Sequence, residues 1–243
     1  MSRKRIVQAL IADLKFEQKQ GFFMIYLVIS FLYILLLTQI PESFRMLILP
    51  FVIFSDPSVL GLFFIGGILL LEKQQGILQS IVVTPLSSME YMISKVGSLT
   101  LVALFAGILI SVFIAAQEVN YISLMLGIIL TSSFFTLMGI LIACRARTVN
   151  AFFVKMIPVM LFLVLPAFLL IPFWNQNLLN IIPTVACLRM VYGAYHGNPL
   201  GEMVFQIGYM SVLNFFLLKY TVNKFEELIV YGGHNGQTDD NKK

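Results

Sequence analysis

Six apolar runs, at residues 21–40, 47–71, 96–116, 121–143, 154–173 and 202–221, occupy most of this 243-residue chain. Each is long enough, at roughly 20 residues, to carry a helix across the hydrocarbon of a bilayer. There the backbone N–H and C=O groups must be satisfied within the segment, which favours helices. The residues left over are too few for a soluble domain of any size. Only 12% of the chain is charged, against about 25% in an ordinary soluble domain, and the mean hydropathy is +0.91. The pattern predicts an all-α integral membrane protein with six transmembrane helices. Residues 1–20 are polar and carry no small-residue cleavage site, so the first run reads as a retained span rather than a removable signal.

The basic residues then orient the spans. Fourteen of the sixteen Lys and Arg lie in the N-terminal segment, the 72–95 loop, the 144–155 loop and the C-terminal part, whereas the alternate loops hold only Arg45 and Arg189. Cytoplasmic loops collect Lys and Arg, so both termini are expected in the cytoplasm. The net charge of +4 is accounted for by anionic lipid headgroups and calls for no nucleic-acid partner. On this topology Cys144 and Cys187 fall on opposite faces, too far apart for an intrachain disulfide.

Residues 2–20 place Val7, Leu10, Ile11 and Leu14 at i, i+3, i+4 and i+7, with Arg3, Lys4, Arg5, Gln8, Asp13 and Lys15 around the rest of the helix. That is an amphipathic helix lying in the interface; the alternative is a basic topology signal with no further role. Within the second run, Ser55-Asp56-Pro57 puts a carboxylate about 15 Å along a helix from its outer end. Asp56 either lines a polar path or helps start a helix near Pro57, with Ser55 or Asp56 as its cap. Small residues repeat along the third run (Ala103, Gly107, Ser111, Ala115) and the fourth (Gly127, Thr131, Gly139, Ala143), which allows close helix packing in lipid, within the chain or against another subunit. Pro158, Pro166 and Pro172 predict a kinked fifth span. The following segment, residues 175–200, is too apolar for a solvated loop. Its Pro183-Thr184 reads as a turn with a Thr cap, opening a short re-entrant helix on the outer side. Residues 231–243 have nothing to bury and are expected to be a disordered cytoplasmic tail. The domain organisation is thus an interfacial helix at 1–20, a six-helix membrane domain at 21–230 and the tail.

Catalytic chemistry has little to stand on. A phosphate-binding loop ends in Gly-Lys-Ser/Thr, and no Gly-Lys dipeptide occurs. His196 and His234 fall on opposite sides of the membrane and cannot share a metal, and Asp56 has no acidic companion at its depth. We expect neither an enzyme nor a metal site.

The 72–95 loop is the one polar interruption with a designed look. Glu72-Lys73-Gln74-Gln75 carry the second span out of the hydrocarbon, and Gly76 suits a helix C-terminal cap. Ile77, Leu78, Ile81 and Val82 form an apolar stripe on a short surface helix. Thr84-Pro85 ends it, because the residue before Pro leaves the α region. Ser87 with Glu90 makes a capping box for the next span, and Lys95 is expected to snorkel towards the headgroups. The loop therefore reads as a rigid elbow whose apolar surface lacks a partner.

Glu72-Lys73-x-x-Gly76-Ile77-Leu78, followed by Thr84-Pro85-Leu86-Ser87, Glu90 and Lys95, resembles the signature after the second span of type-2 ABC transporter permeases. The resemblance extends over nearly the whole chain, although Gln74 stands where the family often has a third charge. It implies the membrane subunit of an exporter, paired with a second permease, identical or homologous, and with two ATPase subunits that hold ATP and magnesium. No cofactor is expected on this chain itself. Glu72, Lys73, Gly76, Ile77, Leu78, Ile81, Val82, Thr84 and Pro85 would couple to the ATPase. Asp56, Pro158, Pro166 and Pro183 are candidates for the translocation path. The implied location is a bacterial cell membrane, and the implied cargo an amphipathic drug, a lipid-like molecule or an antimicrobial peptide. The alternative function is a membrane scaffold or receptor regulated by an ATPase partner, without transport.

Overall fold

The computed structural model describes residues 3–55, 60–78, 84–115, 119–169 and 177–230. Helices are α1 (Arg3–Lys19), α2 (Phe22–Thr38), α3 (Glu42–Ile53), α4 (Leu60–Gln74), α5 (Ser88–Ala115), α6 (Tyr121–Cys144), α7 (Val149–Leu169), α8 (Pro183–His196) and α9 (Leu200–Phe225). A 3₁₀ turn, Asn177–Ile181, precedes α8, and a π-helical turn, Glu226–Val230, follows α9. No strand occurs among the described residues.

Four helices are long and apolar enough to cross a membrane, α5, α6, α7 and α9, or five if the bent pair α1–α2 counts as one span. That pair turns by 67° at Gly21, whose φ of +83° only glycine adopts without strain. The bend separates a charged helix from a strongly apolar one. Val7 and Ile11 of the amphipathic pattern of residues 2–20 are half exposed, while Leu10 and Leu14 turn towards the protein.

The second apolar run carries α3 up to Ile53 and α4 from Leu60, and residues 56–59 between them lie outside the described residues. Pro50 lies inside α3, and the chain turns π-helical at Phe54 and Ser55 before α4 resumes at Leu60. Ser55 donates back to the Val52 carbonyl at 3.1 Å and so serves α3. Asp56 and Pro57 lie outside the described residues.

The core is organised by α6, which packs against α4, α5, α8 and α9. Two of its small residues explain the closeness. A Cβ on Gly139 would stand 2.8 Å from the Leu62 carbonyl oxygen and 3.1 Å from its Cα, so the backbones of α4 and α6 nearly touch. Gly127 similarly receives Val191 of α8. These ridges pack within the chain, the simpler of their two readings. Asn120 caps α6 by accepting from the Ser123 amide at 3.1 Å. At α8 the cap differs from expectation: Ile182 is the N-cap, Pro183 fills the first helical position where no N–H is needed, and the buried Thr184 hydroxyl has no partner.

Candidate functional site

The elbow is fastened on both sides. Glu72 lies in the last turn of α4, and Gly76 follows the helix with φ of +71°, the left-handed conformation that stops a helix and that glycine supplies most easily. Across the loop, the Ser87 amide donates to Glu90 Oε2 at 3.1 Å and the Glu90 amide donates to Ser87 Oγ at 3.2 Å, a reciprocal capping box at the start of α5. Arg5 of α1 reaches the same corner. Its guanidinium lies 3.6 Å from Glu90 Oε1 and donates to the Pro85 carbonyl. Arg5, Gln8 and Ala9 face Thr84, Pro85 and Leu86 across a cleft of about 320 Å³.

Beneath this corner lies a buried charge cluster. Lys95 is 1% exposed and pairs with Asp13 Oδ1 of α1 at 2.6 Å and with Glu72 Oε1 of α4. Lys95 therefore does not snorkel; two buried carboxylates hold it inward, a stronger attraction than the headgroup region offers a single ammonium. The Tyr91 hydroxyl donates to Glu72 Oε2 at 2.5 Å, and Ser94 donates to Asp13 Oδ2 at 2.7 Å. Ser98 Oγ lies 2.5 Å from Glu17 Oε1. Phe225 at the end of α9 stacks on the Tyr91 ring, 5.4 Å between centroids, and closes the cluster from the far side. Glu17 is 2% exposed. Burial pushes its carboxyl up to about 7, against the lowering pull of the Ser98 hydrogen bond and of Lys95.

One ammonium thus binds α1, α4 and α5 together at the root of the elbow. Of the coupling residues expected from sequence, Glu72 and Leu78 are buried, at 4% each, whereas Lys73, Thr84 and Pro85 are exposed and Ile77 is half-buried. Ile81 and Val82 lie outside the described residues. Arg5, Asp13, Glu17, Tyr91, Ser94 and Ser98 were not among the expected site residues. Their signal is polar spacing: Asp13 and Glu17 are four apart, and Tyr91, Ser94, Lys95 and Ser98 fall at i, i+3, i+4 and i+7 on a spanning helix, where a polar row requires a polar partner.

The proposed path residues fall elsewhere. Pro158 and Pro166 lie inside α7, beside an apolar groove of about 580 Å³ between α7 and Phe63 of α4. Pro183 starts α8 at the opposite end of the bundle from the elbow. There the buried amides of Asn180 and Gln206 meet Arg189, whose Nη1 donates to Asn180 Oδ1 at 2.8 Å. Gln206 Nε2 donates to the same oxygen at 3.3 Å, and Asn198 Nδ2 donates to Gln206 Oε1 at 3.3 Å.

Apolar spanning helices around a central α6, with an amphipathic helix fastened to a polar elbow, are the architecture of a multi-pass membrane protein. The sequence model of the fluoroquinolones export permease protein family matches residues 4–232, and the chain belongs to that family, within the type-2 ABC permeases. Among its relatives are the fluoroquinolones export permease proteins of Mycobacterium tuberculosis strains CDC 1551 / Oshkosh and H37Rv. Each is 27% identical over 209 residues, covering 86% of this chain and 87% of the relative.

Proposed function

We infer that this chain is the membrane subunit of an ATP-driven exporter in a bacterial cell membrane, with six spans and both termini cytoplasmic. The observation that carries the coupling role is Lys95: by joining α1, α4 and α5, it makes the elbow continuous with three helices. A push on the elbow then moves those helices as one body. The push comes from two ATPase subunits, which hold ATP and magnesium. Exposed Lys73, Thr84 and Pro85 face the ATPase, together with Gly76, Ile77, Ile81 and Val82 of the surface helix. Glu72 and Leu78 act from within, as positioning residues.

The second permease, identical or homologous, sits against α7, whose Val154, Ile157, Leu161 and Phe162 present a broad exposed apolar face. The groove beside Pro158 and Pro166 belongs to that face and forms part of the path, to which Asp56 and Pro183 are further candidates. The cargo is an amphipathic drug of the fluoroquinolone kind, supported by the names of the relatives. Lipid-like molecules and antimicrobial peptides are the other candidates.

The test is a pull-down with the ATPase encoded beside this chain, comparing wild type with Gly76→Pro plus Ile81→Asp. The double variant loses the ATPase and its stimulation; unchanged assembly and stimulation would remove the coupling role. Transport of a labelled fluoroquinolone by the reconstituted complex separates an exporter from a regulated scaffold, which binds the ATPase and moves nothing. Asp56→Asn lowers resistance in cells if Asp56 lines the path, and leaves it intact if it does not.

A further inference from the structure

The cluster at the root of the elbow contains more acid than base. Asp13 and Glu17 on α1 and Glu72 on α4 face one ammonium, Lys95 on α5. The remaining charged and titratable groups around it do not change this balance: Arg5 on α1 and Glu90 on α5 offset each other at 3.6 Å, Tyr91 on α5 is a neutral phenol donating to Glu72, and α2, packed on α1, offers Tyr26 and Tyr33. Lys95 is consumed by Asp13 and Glu72, which are 2.6 Å away or closer. Among the described residues, no cation pairs directly with Glu17.

Its hydrogen bonding fits a neutral acid. Glu17 Oε2 is buried with no hydrogen-bond partner, an arrangement that costs an ionised carboxylate far more than a protonated one. Ser98 Oγ, its one neighbour, also approaches the Lys95 carbonyl, at 3.1 Å. The hydroxyl has a single proton to give. A protonated Glu17 resolves the competition by donating to Ser98 Oγ, which then donates to the Lys95 carbonyl.

We propose that Glu17 is a proton-binding site whose occupancy fastens α1 to α5, so that acidification on the elbow side tightens this contact. The proposal does not depend on the transport role above. Its sign follows from linkage. Docked Glu17 holds its proton up to about pH 7, whereas an undocked, solvated glutamate loses it near pH 4.5. Undocking between those values releases one proton, so docking weakens by up to about tenfold per pH unit across the window. Below it the contact is strongest; above about pH 7 it levels off at its weakest.

The experiment uses the purified full chain in lipid nanodiscs. Infrared difference spectra between pH 5 and pH 9 follow the carboxylic-acid C=O stretch, and hydrogen exchange, corrected for intrinsic rates, follows the α1 amides. The expected result is a carboxylic-acid band that titrates with a midpoint near 7 and is missing in Glu17→Gln. In parallel, α1 protection falls as pH rises in wild type and stays level in Glu17→Gln, which keeps a neutral hydrogen-bonding group at all pH values. A wild-type spectrum with no acid band titrating between pH 5 and 9 overturns the proposal. So does an unchanged band in Glu17→Gln, or identical pH dependence of α1 protection in the two proteins. A wild-type spectrum without a titrating acid band overturns the proposal even if Glu17→Gln does not fold, and Glu17→Asp, which shifts the band, then makes the assignment.

Discussion

Among the described residues, two buried polar clusters at opposite ends of the bundle are built on different chemistry. At the elbow, formal charges meet: Lys95 against Asp13 and Glu72, with Glu17 beside them. At the α8 end, the contacts described are amides around Arg189, linked through Asn180, Gln206 and Asn198 at 2.8 to 3.3 Å. Removing one member of a buried ion cluster strands the others as uncompensated charge, so it holds or fails as a unit. An amide network around a single guanidinium loses about one hydrogen bond at a time, each worth roughly 1 kcal/mol between amides and about 1.5–3 kcal/mol to the guanidinium, and its amides can exchange partners. The first suits a joint that must transmit force without slipping. The second suits a region that rearranges.

The sharpest way to break this comparison is Lys95→Met, which leaves Asp13 and Glu72 buried without a cation. It should cost about 3–5 kcal/mol, seen as loss of monodisperse protein and a large drop in thermal unfolding temperature. Adding Asp13→Asn and Glu72→Gln should restore much of that stability by removing the stranded charge. At the other end, Asn180→Ala removes the acceptor shared by Arg189 and Gln206 and should cost about 1–3 kcal/mol in the same assay. A loss there equal to that of Lys95→Met would erase the distinction. Ser87→Ala removes half of the capping box and should cost about 1 kcal/mol. Gly76→Ala should cost a similar amount, about 1 kcal/mol, because alanine is strained at a left-handed helix end.

Local features were the legible ones. The capping box joins residues three apart, the stop at Gly76 is a property of one residue, and Pro183 announces a helix start from its own chemistry. Four spans, α5, α6, α7 and α9, or five with the bent pair α1–α2, declared themselves by length and apolarity. Lys95 was misread because its partners are distant in sequence: Asp13 and Glu72 are brought to it by packing, and a lone lysine at a span's edge looks the same whether it snorkels or turns inward. In residues 2–20 the apolar stripe drew attention to Val7, Leu10, Ile11 and Leu14, of which Leu10 and Leu14 face the protein, while the polar anchors Asp13 and Glu17 find their partners Ser94 and Ser98 far along the chain. Thr184 looked like a cap by residue type, but proline at the first helical position already serves that end.

The most direct test is made on the charge-neutral joint, Lys95→Met with Asp13→Asn and Glu72→Gln, reconstituted with its ATPase and a labelled fluoroquinolone. If one ionic joint makes the elbow continuous with α1, α4 and α5, this variant folds, binds the ATPase and permits ATP hydrolysis, yet moves several-fold less drug per ATP than wild type. Equal drug moved per ATP in the two proteins would contradict the account.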